Sequence, residues 1–303
     1  MAKYKKGELS KTIAKNKTMY LMMAPFAMLF LVFTVFSVVA AIFLSFTNYN
    51  LGQLPKFVGW LNYTNILLED DVFLISVRNT LIFALITGPL SYFLCLIFAW
   101  LINDLPKKLR VFFTFVFYAP SISGSVFVVW SYIFSGDTYG LINSMLINTG
   151  LINEPVLWLS DTRYILTIVI IVQIWASIGT SFLAFIAGLQ GVDRALYEAG
   201  AIDGIKNRFQ EFIKITLPSM GPQLMFAAVM QIGSSFAVSN ICNQLAGFPS
   251  TDYAAHTVVT HIQDYGLVRY EMGNACAVAT MLFAAMVLIN GFVEKFLKKT
   301  TNM

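Results

Sequence analysis

The sequence predicts an all-α membrane protein of six transmembrane helices, with both termini in the cytoplasm (N-in, C-in). Three observations predict it. Of 303 residues, 57% are hydrophobic and only 12% are charged, about half the roughly one-quarter charged fraction of a soluble domain. Six windows free of Asp, Glu, Lys and Arg each hold the roughly 20 apolar residues that a helix needs to cross hydrocarbon. The basic residues are also sorted, sixteen of the twenty Lys and Arg falling in alternate connections.

Taken in order, a basic arm over 1–19 carries Lys3, Lys5, Lys6, Lys11, Lys15 and Lys17. The apolar run behind it is too long for the core of a secretory signal. Helices are expected over 20–46, 81–102, 111–134, 165–189, 221–241 and 273–293, and the tail is 294–303. None of these runs alternates apolar with polar residues, which excludes the strands of an outer-membrane barrel. The turn at 103–110 is short and basic, with Lys107, Lys108 and Arg110. Gly59, then Gly136-Asp137 and Gly140, then Gly247 and Pro249 punctuate three outer loops. Only Lys56, Arg78, Arg163 and Arg269 fall on the outer side, and the positive-inside rule fixes the orientation. Disorder is excluded by the apolar content. A disulfide scaffold is excluded by having only Cys95, Cys242 and Cys276, none in a CxxC pair. The net charge of +4 does not point to nucleic acid.

The loop over 190–218 is the only inner connection large enough to fold. Asp193 is placed to cap a helix over 194–202, and Asp203-Gly204 to stop it. Phe209, Phe212, Ile213 and Leu217 then recur at helical spacing, and Pro218 opens the next span. Ala199, Gly200 and Ala201 beside Glu198 make a smooth face that suits docking to another protein. An amphipathic segment on the membrane surface needs more apolar area than Ala and Gly supply.

Glu198-Ala199-Gly200, Asp203-Gly204, Phe212 and Ile215-Thr216-Leu217-Pro218 resemble the EAA loop of ABC importer permeases, and within them the maltose-type carbohydrate family. Phe57-Val58-Gly59, Asn62-Tyr63, Phe73 and Asn79-Thr80 are similar to that family's first outer loop and second helix. Pro120, Trp130, Gly140 and Asn143 are similar to its third helix and the loop after it. Gly200 stands where a second Ala is usual, and Val192-Asp193 where Ile-Pro is usual. The resemblance implies a type I ABC importer transmembrane domain over 20–293 in a bacterial cell membrane. It also implies that Glu198, Ala199, Gly200, Asp203, Gly204, Phe209, Leu217 and Pro218 couple the chain to a separate ATPase. Implied partners are a second permease subunit, two ATP-binding cassette subunits, an extracytoplasmic solute-binding protein and membrane lipid. ATP belongs to the partner: the sequence has no GxxxxGK[ST] to cradle phosphates.

Polar residues inside spans are costly and mark candidate sites. Gln173, Ser177 and Thr180 share one face of the fourth helix at i, i+4 and i+7, and Gln231, Ser234 and Ser235 lie within a turn of the fifth. Amides and hydroxyls beside Trp175 and Phe236 suit an uncharged sugar. The resemblance places the family's sugar contacts close to these six positions. The same side chains also serve to hold membrane helices together. His256 and His261, at i, i+5, lack a third ligand, and no metal or enzyme constellation is expected. Trp60, Tyr63 and Trp158 are expected as interfacial anchors. An ion-coupled secondary transporter is the rival reading, and the charge-free windows offer it no intramembrane carboxylate. An ABC permease for a non-sugar solute is the other.

Overall fold

The computed structural model describes residues 16–124 and 126–300. Residues 1–15 of the expected basic arm, with five of its six lysines, lie outside the described residues, as does the end of the tail at 301–303. Five helices are long and apolar enough to cross a membrane: Lys17–Leu44, Asp71–Asn103, Ile165–Gln190, Gly221–Ala246 and Met272–Leu297, here spans one, two, four, five and six. A bent pair, Lys107–Ile122 and Phe127–Ile133, passes the same test only when its two helices are taken together; it is labelled span three here and brings the number to six if it crosses as one span. Among the described residues there is no β-strand, only a bridge between Thr47 and Phe57.

Span two begins at Asp71, ten residues before the start expected at 81. The Asp70 carboxylate accepts a hydrogen bond from Phe73 N at 2.9 Å, and Asp71 sits in the first turn, where a negative charge favours the helix dipole. A capped start thus carries Arg78 within the helix. The helix continues unbroken through Pro89 for 33 residues, about 50 Å at 1.5 Å per residue.

Spans two, four and five pack on one another as the core. Small side chains let them close: Ala99 and Cys95 of span two and Ala227 of span five are buried around Phe182 and Phe185 of span four. A second cluster joins Phe83, Ile165, Val169 and Val172 to Ile241 and Leu245. Span one packs on span six through its second half, Phe36–Leu44. Its first half, Lys17–Phe30, buries nothing. Cys95 and Cys242 are buried free thiols, as expected, while Cys276 is half-buried.

Three expected helices are interrupted. The single helix expected over 111–134 is instead two helices at 85°. Pro120 removes a backbone donor near the end of the first, and Ser123 takes extended angles that end it. Span four is broken between Ala176 and Thr180, with Gly179 at φ −128°, ψ −123° and packed against Ser121 of span three. Span five stops at Phe236 and restarts at Asn240. The segment after span three, expected as an outer loop, is also more than a connection. It holds a helix, Leu141–Asn148, in which Asn143 is fully buried. Asn143 Nδ2 donates to the carbonyls of Ser135, Asp137 and Val156, and its Oδ1 accepts from Val156 N and Trp158 Nε1. Trp158 is half-buried and braces the loop through its indole N–H.

Candidate functional site

The connection between spans four and five folds from local signals. The Asp193 side chain accepts from Ala195 N at 3.0 Å and opens the helix Arg194–Ile202. Gly204 ends it at φ +88°, a left-handed conformation that a Cβ disfavours. Asn207 caps Arg208–Glu211 through Gln210 N, and a π turn over Phe212–Thr216 leads into span five.

The two sides of this hairpin differ. Gly200 is buried on the inner side, where an added Cβ would lie 2.6 Å from Ile215 Cδ1. Tyr197 OH pairs with Thr216 Oγ1 at 2.9 Å, and the Phe212 ring tilts on Trp100 of span two at 4.8 Å. Arg208 forms an ion pair with Asp104, the residue after span two. On the outer side Glu198, Ala199, Ala201 and Asp203 are exposed together with apolar Ile202 (88%) and Phe209 (62%). Leu217 is half-buried at the root of span five and Pro218 is exposed. The smooth face expected over 199–201 is thus divided: Gly200 fits the helix to its own bundle, and its neighbours face outward.

The polar residues of spans four and five also divide. The i, i+4, i+7 alignment of Gln173, Ser177 and Thr180 holds for a continuous helix, and the break at 177–179 changes it. Ser177 donates to Ser91 Oγ of span two at 2.6 Å. Gln231 is buried and accepts from Ser181 Oγ at 3.3 Å, and Ser235 is buried against Gly88. Those three side chains tie helices together. Thr180 and Ser234 are exposed, and Gln173 is half-buried. Trp175, 37% exposed, meets Trp130 edge-on, while Phe236 is buried. Asn240 and Gln244, which sequence reasoning did not single out, continue the exposed polar set beyond the break and bond to each other at 2.9 Å.

At the far end of span two lies a buried network that joins residues distant in sequence. Asp70 Oδ2 accepts from Tyr265 OH at 2.6 Å and from His261 Nε2 at 2.9 Å, and His261 Nδ1 lies 3.3 Å from His256 Nε2. Asn79 Nδ2 donates to the carbonyls of Tyr253 and His256, and Thr80 Oγ1 accepts from Val258 N. Burial raises the Asp70 carboxyl, but hydrogen bonds from Tyr265, Phe73 N and His261 outweigh it and hold it below the ordinary 3.8. An ionised Asp70 fixes the tautomers. His261 donates through Nε2 and accepts through Nδ1, so His256 donates through Nε2. The His256 Nδ1 lone pair is left buried without a partner. The histidines thus form a hydrogen-bonded relay, and their acid is Asp70 rather than the nearer Asp252 or Asp264. Among the described residues no group of three metal-ligating side chains is present.

Burial pushes His256 down from 6.5 to about 4, and His261 is lowered for the same reason against the pull of Asp70. Between about 6.5 and about 4 the unfolded chain therefore binds more protons than the folded one, and stability falls as pH falls. Asp70 adds a loss in the same direction below 3.8. The melting temperature of the purified protein is expected to drop from pH 7 to pH 4.5, and to drop less in His256→Asn. Equal slopes in the two proteins would contradict this.

An α-helical bundle of this many long apolar helices, with one folded, partly apolar loop at its basic end, is the architecture of a multi-pass membrane protein. The chain belongs to the binding-protein-dependent transport system inner membrane component family, which matches residues 96–301. It is 33% identical over 300 residues to the probable ABC transporter permease protein YesP of Bacillus subtilis (strain 168), covering 97% of this chain and 93% of that one. It is 28% identical over 279 residues to the arabinooligosaccharides transport system permease protein AraP of the same organism, covering 91% and 87%. Its fold matches a chain of a bacterial alginate ABC transporter crystallised with an alginate pentasaccharide-bound periplasmic protein. The TM-score is 0.79 at 23% identity, over 96% of this chain and 97% of that chain.

Proposed function

We propose that this chain forms half of the translocation pathway for a sugar or oligosaccharide. In this reading it lies N-in, C-in in the bacterial cell membrane and couples to a separate ATPase through 190–218. The observation that carries it is the outer side of the hairpin. Ile202 and Phe209 stand exposed beside Glu198 and Asp203, on a hairpin whose inner side meets span two and the root of span five. Exposed apolar side chains rimmed by charge, outside the hydrocarbon, mark a protein interface. The basic turn at 103–110 lies at the same end of the bundle, which supports placing that end in the cytoplasm.

The sugar reading rests on chemistry and on relatives. Thr180, Ser234, Asn240 and Gln244 are exposed, uncharged hydrogen-bonding groups around the broken spans, and Trp175 adds a flat apolar surface. AraP is a permease for arabinooligosaccharides. The remaining partners are a second permease, two ATPase subunits and an extracytoplasmic binding protein.

Glu198→Arg tests the reading, because the residue is exposed and its replacement leaves packing intact. Co-expression with the ATPase subunit is expected to yield the permease without the ATPase, and sugar-stimulated ATP hydrolysis is expected to fall at least about tenfold. Wild-type co-purification and stimulation in Glu198→Arg would sink the assignment of the coupling loop.

A further inference from the structure

The loop is covalently continuous with span five, yet that route is soft. Between Arg208 and Ala246 it passes through a π turn at Phe212–Thr216, a stop at Met220 and a break between Phe236 and Asn240. Span four, on the other side of the loop, is broken between Ala176 and Thr180. Such interruptions are where helices bend. Span two runs as one helix from Asp71 to Asn103, with Pro89 as the one residue inside it that removes a backbone donor.

Span two is also held at both ends by groups from the moving parts. At the loop end, Trp100 meets Phe212 and Asp104 pairs with Arg208. Midway, Tyr92 OH donates to Leu224 O of span five, and Ser91 accepts from Ser177 at the break of span four. At the far end, Asp70, Asn79 and Thr80 hold the segment 253–265 by five hydrogen bonds to His261, Tyr265, Tyr253 O, His256 O and Val258 N. These far-end side chains are buried apart from Asp70, which is 13% exposed. Buried hydrogen bonds to a charged group are the strong ones.

We propose that span two is the transmission rod of this subunit. It carries displacement of the coupling loop to the segment 253–265, with Asp70, Asn79 and His261 as positioning residues of its far clamp. Movement at Arg208 and Phe212 shifts the near end of an unbroken helix. The far end then carries 253–265 with it, while spans four and five flex at their breaks. Asp70 serves twice, capping the rod with Oδ1 and gripping the segment with Oδ2. This inference rests on the coupling reading above and adds the path the motion takes.

The experiment uses the whole transporter in lipid nanodiscs, with its ATPase subunits and binding protein. Basal ATP hydrolysis and its stimulation by sugar-loaded binding protein are measured separately. Wild type must show stimulation; its absence would overturn the functional reading and leave no coupling for a rod to carry. Asp70→Asn keeps an acceptor for the cap but removes the charge that grips His261 and Tyr265. It is expected to keep basal hydrolysis within about twofold and to lose at least about tenfold in stimulation. Unchanged stimulation in an assembled Asp70→Asn complex would overturn the proposal. Should that variant fail to assemble, the loop end decides. Asp104→Arg is expected to lose stimulation, and Asp104→Arg with Arg208→Asp to regain it. Either full stimulation in the single variant or no recovery in the double one overturns the rod.

Discussion

Gly200→Leu is expected to abolish transport, whereas Gly200→Ala retains most of it. The Cβ of alanine would approach Ile215 Cδ1 to 2.6 Å and Ile205 Cδ1 to 3.1 Å. Both are the far ends of flexible side chains, which rotate away at small cost. Leucine adds three more carbons to a contact already closed, and overpacking of this kind costs about 1–3 kcal/mol. The helix Arg194–Ile202 relieves that strain by lifting from the root of span five. The lift separates Tyr197 from Thr216 and displaces Glu198 and Ile202 together. Sugar uptake in cells, with co-purification of the ATPase, is the measurement. Uptake of Gly200→Leu within about threefold of wild type would show that the loop tolerates displacement.

The second large effect lies at the opposite end of the molecule. Asn143→Leu removes two donors and an acceptor from a fully buried site, stranding the carbonyls of Ser135, Asp137 and Val156 and the N–H groups of Val156 and Trp158. Each buried group left without a partner costs about 1–3 kcal/mol. A total beyond ~4 kcal/mol is therefore expected, at the extreme for a single substitution. Asn143→Asp is nearly isosteric, but it keeps only the acceptor and turns a negative oxygen toward three carbonyls. It is expected to be as damaging as leucine. Limited proteolysis of the 135–164 loop and the melting temperature report the result. A stable Asn143→Asp protein would mean that the amide donors do not hold the loop.

The fold class and the helix Arg194–Ile202 were legible because their causes are local. Charge depletion marked the spans, and Asp193 and Gly204 bounded the helix Arg194–Ile202 to the residue. The start of span two was missed because Asp71 and Arg78 ended the charge-free window, although Asp70 ahead of Phe73 was a readable cap. The break in span three had a signal in Pro120 and Gly124, which an apolar count does not weigh. Periodicity places Gln231 and Ser234, at i and i+3, on one side of a helix but does not say where on that side the seam ends and exposed surface begins. Hence six polar residues were grouped that the fold divides between helix seams and exposed surface. The relay was invisible for another reason. His261 and Asp70 are 191 residues apart, and nothing in the neighbourhood of either names the other.

The first half of span one has a consequence for the life of this subunit before assembly. Among the fourteen residues from Lys17 to Phe30 none is buried, and the large apolar side chains are each about half or more exposed. In water such a helix would drive aggregation. Lipid tails are as apolar as leucine, so within a bilayer no hydrophobic force urges that helix to find a partner. An orphan subunit can therefore wait in the membrane at no penalty from this surface. Ile202 and Phe209 differ, since they project from a loop into water, where the hydrophobic effect operates in full. If that loop is where a partner docks, as proposed above, an unassembled copy is left with its water-facing apolar surface there, and assembly covers it.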